Sequence, residues 1–273
     1  MLLFNNVKIP IKQFPNGESC LDKPFFEANF AGKNVVTLQY ESDADLFQLL
    51  LVRKSLWFPC SLHITYFPYS RMDRKSEAYI FTLKSVTKFI NWLDFDSVTI
   101  YEPHSDVTPA LLNKCKIVDL IPPLLKKTDF DITRDYVFYP DAGAQKKYSD
   151  RIKSPLAIVG FKKRDFVTGR ITDLQITGED SAIKNQEKWA LQEKRVFIID
   201  DLCSKGGTFV LAAEELKKMG AGEIFLVVGH CENTIFDGKV LATDLITRVY
   251  TTDSVVRSND DPKLLSFPLV DLV

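Results

Sequence analysis

The sequence predicts an α/β protein of two domains, each built on a mainly parallel sheet flanked by helices. Three observations predict it. Short apolar runs recur at 35–40, 62–66, 97–101, 136–139, 156–161, 196–199, 223–228 and 248–251, with helix-length segments between many of them, the pattern of repeated strand–helix units. The run Val196 to Ile199 lacks polar alternation, as a parallel strand covered on both faces should. At 273 residues the chain is long enough for two domains of ordinary size.

Taken in order, the first half offers helices over 43–57 and 78–93 between its strands. The segment 121–135 carries Pro122-Pro123 and mixed charge, so the domain boundary is placed near Lys127, giving domains 1–127 and 128–273. In the second half the clearest helix runs over 208–219 and stops at Gly220, a C-terminal signal. The stretch 165–194 is polar with little apolar periodicity; it reads as a hairpin flap or a mobile loop over a site.

Composition excludes several functions. A formal net charge of −1 gives no support for a nucleic-acid or anionic-membrane partner. No apolar run approaches membrane-spanning length, and the start, Met1-Leu-Leu-Phe-Asn-Asn, has neither the basic region nor the apolar core of a signal peptide. The cysteines Cys20, Cys60, Cys115, Cys203 and Cys231 are scattered and form no Cys-x-x-Cys pair, so they read as reduced thiols of a cytoplasmic protein.

The most informative segment is 195–208. A buried strand leads to Asp200 and Asp201, then to Ser204, Lys205, Gly206 and Gly207, and a helix is expected from Thr208. Glycines let backbone N–H groups approach a phosphate, and a helix N-terminus attracts an anion. Carboxylates at a strand's carboxyl end lie where open α/β sheets bind ligands. The combination suits a sugar phosphate, against the alternative of an ordinary strand–helix turn. Neither a Walker A loop nor a Gly-x-Gly-x-x-Gly fingerprint is present.

Four further clusters fall at expected strand ends. Arg71, Asp73, Arg74 and Lys75 follow one strand; such density suits a polyphosphate, or else a solvated charged loop. His104 sits between Glu102 and Asp106, placed for a metal or a nucleotide phosphate, or for a structural role. Asp141 and Gly143 follow the strand 136–139 as Asp200 follows its own. Lys162, Lys163 and Arg164 come directly after a strand; they either stabilise a transferring phosphoryl group or form a solvated face.

Taken together and in order, these motifs resemble those of the ribose-phosphate diphosphokinases, also called phosphoribosyl pyrophosphate synthetases. The resemblance rests on Phe14-Pro-Asn-Gly-Glu18, Phe67-Pro-Tyr-Ser-Arg71, His104, Pro140-Asp-Ala-Gly143, the pair Lys162 and Arg164, and the loop from Asp200-Asp201 to Thr208. It implies two tandem phosphoribosyltransferase-like domains in a homo-oligomer, a dimer or higher, with the ATP site shared between subunits. It implies transfer of the β,γ-diphosphate of Mg-ATP to the anomeric hydroxyl of a 5-phosphorylated ribose, with release of AMP. By the same resemblance, Phe14, Asn16, Glu18, Arg71, Asp73 and His104 serve ATP, and His104 and Asp141 serve Mg²⁺. Lys162 and Arg164 are catalytic, while Asp141, Asp200, Asp201, Ser204, Lys205, Gly206, Gly207 and Thr208 hold the ribose phosphate.

The chain also departs from the family. Where the family usually has Asp-Thr-Gly-Gly-Thr or Asp-Thr-Cys-Gly-Thr, this loop reads Ser204-Lys205-Gly206-Gly207-Thr208, losing a carboxylate and gaining an ammonium. Either Lys205 points to solvent and only its backbone matters, or the acceptor is larger and more negative than ribose 5-phosphate. ADP-ribose, with a free anomeric hydroxyl and a 5-diphosphate, fits the second reading and a place in nicotinamide nucleotide salvage. The loop after Arg74 and the whole chain are short for the family, which implies weakened phosphate or nucleotide control and an assembly smaller than a hexamer. The competing readings are a phosphoribosyltransferase and a non-catalytic regulatory homologue; retention of Lys162, Arg164, His104 and both aspartates argues against the latter.

Overall fold

The computed structural model describes residues 1–75, 77–164, 171–185, 187–256 and 260–272, with the side chains of 162–164 and 171–174 outside the described set. The chain forms two compact units, Met1–Asp119 and Leu120–Val273.

The first unit opens with β1 (Leu2–Phe4), β2 (Val7–Lys8), a small hairpin of β3 (Ile11–Gln13) and β4 (Ser19–Leu21), and the short helix α1 (Lys23–Ala28). Then come β5 (Val35–Leu38), α2 (Asp43–Ser55), β6 (Ser61–Ile64), α3 (Thr82–Trp92), β7 (Val98–Tyr101), α4 (Val107–Leu111) and β8 (Cys115–Val118). The sheet order is β2-β1-β5-β6-β7-β8, with β1 antiparallel to both its neighbours and the rest parallel. From β5 to β8 each strand is laid beside the last in one direction. Right-handed crossovers then deliver the intervening helices to one face. The core shows it: Leu49 and Val52 of α2 and Leu83, Val86 and Ile90 of α3 pack with Val36, Leu38, Leu62, Ile64, Val98 and Ile100. The alternate residues Thr37, His63, Thr99 and Tyr101 take the other face. There the Tyr101 hydroxyl lies 3.0 Å from His63 Nδ1, and burial followed by the Lys116 charge lowers the imidazole pKa. The start of α2 is pinned by Asp45, whose carboxylate accepts from the N–H groups of Glu41 and Ser42 and from the Met1 amine.

The second unit begins with α5 (Ile121–Leu125). Its prolines lie in the first turn, where a missing N–H costs nothing, and Ile121, Leu124 and Leu125 pack with Tyr139, Tyr148 and Phe197. The stretch read as a connector up to Lys127 therefore belongs to the second core. There follow β9 (Tyr136–Tyr139), α6 (Ala142–Ile152), β10 (Ala157–Arg164), β11 (Ile171–Gly178), α7 (Ser181–Lys184), β12 (Val196–Cys203), α8 (Gly207–Lys218), β13 (Ile224–Cys231), β14 (Arg248–Thr252) and β15 (Leu264–Phe267). The order is β11-β10-β9-β12-β13-β14-β15, parallel except for β11.

Here the winding reverses. After β9 the chain passes through α6 to β10 on one side, then returns to lay β12 on the other. Helices accordingly cover both faces: α8 packs with Ile198 and Leu226, whereas α5 and α6 pack with Phe197, Ile199 and Val227. This agrees with the unalternating run 196–199. The polar stretch 165–194 contains β11 and α7, so Ile171–Gly178 is the far strand of a hairpin with β10, with a register shift between Lys163 and Arg164. Residues 165–170 lie outside the described set.

Candidate functional site

In open α/β sheets ligands bind beyond the carboxyl ends of strands, where the winding reverses. In the second unit that point is between β9 and β12, and the residues leaving these strands are Asp141 and the Asp200–Asp201 pair. β12 runs to Cys203, further than its apolar stretch implied, because its ladder with β13 continues through Asp200↔Val228 and Leu202↔His230 to Cys203↔Cys231. The two aspartates thus lie within the C-terminal end of the strand rather than beyond it. Asp201 is 7% exposed, and its N–H donates to Asp200 Oδ1 at 2.9 Å. Burial first, and then the carboxylates of Asp201 and Asp141, push the Asp200 pKa well above the usual range. A half-buried acid facing like charges is poised for a cation or for hydroxyl donors.

Asp141 has a second duty. It is the N-cap of α6, and its Oδ1 accepts from the Ala144 N–H at 3.1 Å. The loop after β12 turns at Gly206, whose φ of +72° is left-handed, and α8 starts one residue later at Gly207. That start falls one residue before Thr208. No side chain caps this helix, so its first N–H groups face the loop. A Cβ on Gly206 would stand 1.9 Å from Val240 Cγ2, and one on Gly238 would stand 2.2 Å from the Lys205 carbonyl oxygen. The segment 238–240 is therefore a mould against the back of the loop. Lys205 is exposed, as the solvent-facing alternative expects. Ser204 Oγ lies 3.0 Å from Thr234 Oγ1, which donates to Glu232 Oε2 at 3.2 Å. Lys162 and Arg164 lie on β10, and their side chains are outside the described set.

The first unit gathers the nucleotide-side candidates. The Arg71 segment follows β6 and the His104 segment follows the adjacent β7. Asp73 joins them: Arg74 Nε donates to its Oδ1 at 3.1 Å. Burial opposes ionisation of Asp73, but the Ser105 hydroxyl, the Arg74 guanidinium and the His104 charge together hold its pKa below the usual range. A depressed acid pKa stabilises the fold above the unfolded value of about 3.9 and loses that contribution as pH falls through the folded value. Asp73→Asn is accordingly expected to flatten the acid side of the stability–pH curve. Thermal melts between about pH 2 and 6 check this, and an unchanged acid limb refutes it.

Two residues of these motifs carry a backbone strain that the sequence does not show. Tyr69 and Glu102, just after β6 and β7, are non-glycine residues at positive φ, 60° and 38°, a strain that gathers at functional loops. Tyr69 is held by its hydroxyl, which donates to Asp43 at 2.5 Å, and Tyr40 donates to the same carboxylate oxygen at 2.7 Å. These two bonds lower the Asp43 pKa. Phe14, Asn16 and Glu18 form the tip of the β3–β4 hairpin: Phe14 is 56% exposed, Gly17 turns at φ +87°, and the Asn16 side chain accepts from the Glu18 N–H. Among the described residues no group of three His, Cys, Asp or Glu is arranged to hold a metal, and no helix is long and apolar enough to cross a membrane.

Both units are of the phosphoribosyltransferase-like α/β class, and comparison with known proteins points within it. The chain is 29% identical over 233 residues to the ribose-phosphate pyrophosphokinase of Sulfurisphaera tokodaii, covering 82% of this chain and 76% of that protein. It is 23% identical over 286 residues to the ribose-phosphate pyrophosphokinase of Bradyrhizobium diazoefficiens, covering 97% and 84%. The crystal structure of phosphoribosylpyrophosphate synthetase from Mycobacterium smegmatis superposes with a TM-score of 0.73 at 16% identity, over 97% of this chain and 87% of that one, which establishes the fold. No protein-family model matches the chain. The chain is a relative of the ribose-phosphate pyrophosphokinases, an enzyme of diphosphotransferase type.

Proposed function

We propose that the protein transfers the β,γ-diphosphate of Mg-ATP to the anomeric hydroxyl of a 5-phosphorylated ribose and releases AMP, with ADP-ribose or ribose 5-phosphate as acceptor. The observation that carries this is the reversal point of the second sheet. There Asp141 and the Asp200–Asp201 pair stand beside a left-handed glycine and an uncapped helix N-terminus. Backbone N–H groups of Gly207 and Thr208 take the acceptor's 5-phosphate, and the aspartates take its ribose hydroxyls. Arg71, Asp73 and His104 hold ATP, with Phe14, Asn16 and Glu18 of the exposed hairpin reaching the nucleotide of a neighbouring subunit in a homo-oligomer. Lys162 and Arg164 supply positive charge where it develops on the transferring group.

The carboxylates of the second unit suit Mg²⁺, a hard cation that prefers carboxylate, phosphate and water oxygens; Asp141 would hold it there with the acceptor, and in the first unit His104 would contact the Mg-ATP complex. When bound it neutralises charge on the diphosphate. Positioning by the chain's own side chains accounts for most of the rate. An ADP-ribose acceptor would place the reaction in nicotinamide nucleotide salvage.

AMP release from Mg-ATP, measured separately with ribose 5-phosphate and with ADP-ribose, tests the reading. Release that requires one of these acceptors is expected. Release with ribose 5-phosphate alone removes ADP-ribose, and silence with both favours a non-catalytic regulatory homologue.

A further inference from the structure

Hydrogen-bond polarity in the acceptor loop singles out a residue with no role so far, and the inference rests on the acceptor assignment above. A threonine hydroxyl has one proton. That of Thr234 goes to Glu232 Oε2 at 3.2 Å. Either hydroxyl could donate across the 3.0 Å between Ser204 and Thr234; with the Thr234 proton on Glu232, the contact runs from Ser204 to Thr234. Ser204 has spent its own proton and can offer a bound molecule only lone pairs. Glu232 is itself fixed to the loop's base, since its N–H donates to the Cys203 carbonyl at 2.8 Å, and Cys203 and Cys231 are register partners at the ends of β12 and β13. The packing of Gly238 on Lys205 and of Val240 on Gly206 holds the same segment against the loop.

We propose that Glu232 is a positioning residue that acts through Thr234 to fix Ser204 as a hydrogen-bond acceptor towards the acceptor substrate. Lone pairs facing a phosphomonoester dianion repel it, whereas they welcome a ligand presenting an O–H or N–H. The loop therefore grips phosphate by backbone N–H groups alone. It discriminates against ribose 5-phosphate in favour of a ribose whose 5-phosphate is esterified and extended by further hydroxyl-bearing groups.

Two variants release the Ser204 proton by different routes. Glu232→Gln places an amide N–H within reach of Thr234 and reverses the chain, and Thr234→Val removes the acceptor of the Ser204 bond. Each is expected to lower KM for ribose 5-phosphate relative to ADP-ribose by about five-fold or more, the scale of one hydrogen bond to a charged group. The change in kcat is expected to be smaller. The effect should vanish when Ser204→Ala is combined with either variant, a dependence that general loosening of the loop would not show. Calorimetric binding of both acceptors accompanies the kinetics. If the unaltered protein binds an acceptor and neither variant moves the preference, or if the shift survives Ser204→Ala, the relay is refuted alone. If the unaltered protein binds neither acceptor, the relay and the acceptor assignment beneath it fail together.

Discussion

Asp200→Asn is expected to make the ligand-free protein more stable at neutral pH while lowering diphosphate transfer by about 100-fold or more, the usual scale for removing a preorganised electrostatic contact. The Asp200 pKa stands above its unfolded value because burial and the carboxylates of Asp201 and Asp141 oppose its charge. As pH rises from the unfolded pKa of about 3.9, the unfolded chain releases the proton first. Stability therefore falls through that window and stays reduced above the folded pKa. Asparagine keeps the shape and carries no such penalty. The variant should melt about 4 °C or more above the unaltered protein near pH 7, roughly the effect of 1–2 kcal/mol in a domain of this size. The gap should close towards pH 4 and below. Melting curves across pH, with and without Mg²⁺ and acceptor, measure it. A variant that melts at or below the unaltered protein near neutrality would show that Asp200 carries no unfavourable charge. The same substitution thus separates stability from function at one residue: the site holds its carboxylates against their own repulsion because a ligand will relieve it.

Much of this site was legible because it lies where local pattern and chemistry coincide. The run Val196 to Ile199 marks a strand buried on both faces, and Gly206-Gly207 before an amphipathic run marks the turn and the helix. Less legible was what depends on pairing between distant strands. The extension of β12 to Cys203 is set by β13, whose residues from Ile224 to Cys231 are all buried; nothing in Asp200-Asp201 itself signals a continuing strand. The strand β11 was legible only as one of two alternatives, a hairpin flap or a loop, because Ile176 is buried among residues that read as polar. The one-sided core of the first unit follows from the order in which strands are laid down, which no residue encodes alone. Tyr69 and Asp43 are 26 residues apart, and Ser204 and Thr234 are 30 apart; such pairs need the fold before they can be seen. The alternating burial of β5 and β6, by contrast, is written in Val35-Val-Thr-Leu38 and Ser61-Leu-His-Ile64 and could have been read as a one-sided sheet.

Gly206→Ala should cost about 2–4 kcal/mol of stability, the sum of a left-handed backbone for an alanine and an overpacked contact. The backbone term follows from φ +72°. The packing term follows from the 1.9 Å between the added Cβ and Val240 Cγ2, with Cys203 Sγ a further 3.4 Å neighbour. Gly207→Ala is the internal control. Its Cβ meets nothing within 4 Å, so its melting temperature should move by no more than the equivalent of about 0.5 kcal/mol. If the contact with Val240 is the larger part, Gly206→Ala costs less in a Val240→Ala background, and the coupling between the two positions should exceed about 0.5 kcal/mol. Acceptor binding should follow stability: a loop pushed off Val240 no longer directs its N–H groups at a phosphate, and KM for the acceptor should rise at least about ten-fold, more than KM for ATP, as the loss of one or more charge-assisted hydrogen bonds implies. Denaturation of the four variants and acceptor titrations decide the matter. Equal costs at Gly206 and Gly207, or no coupling to Val240, would mean that the loop is held by its own turn and not by the segment behind it. Coupling would instead make the segment 232–240 a part of the acceptor site, with the same stretch of chain setting both the position of the loop and the direction of the Ser204 hydroxyl.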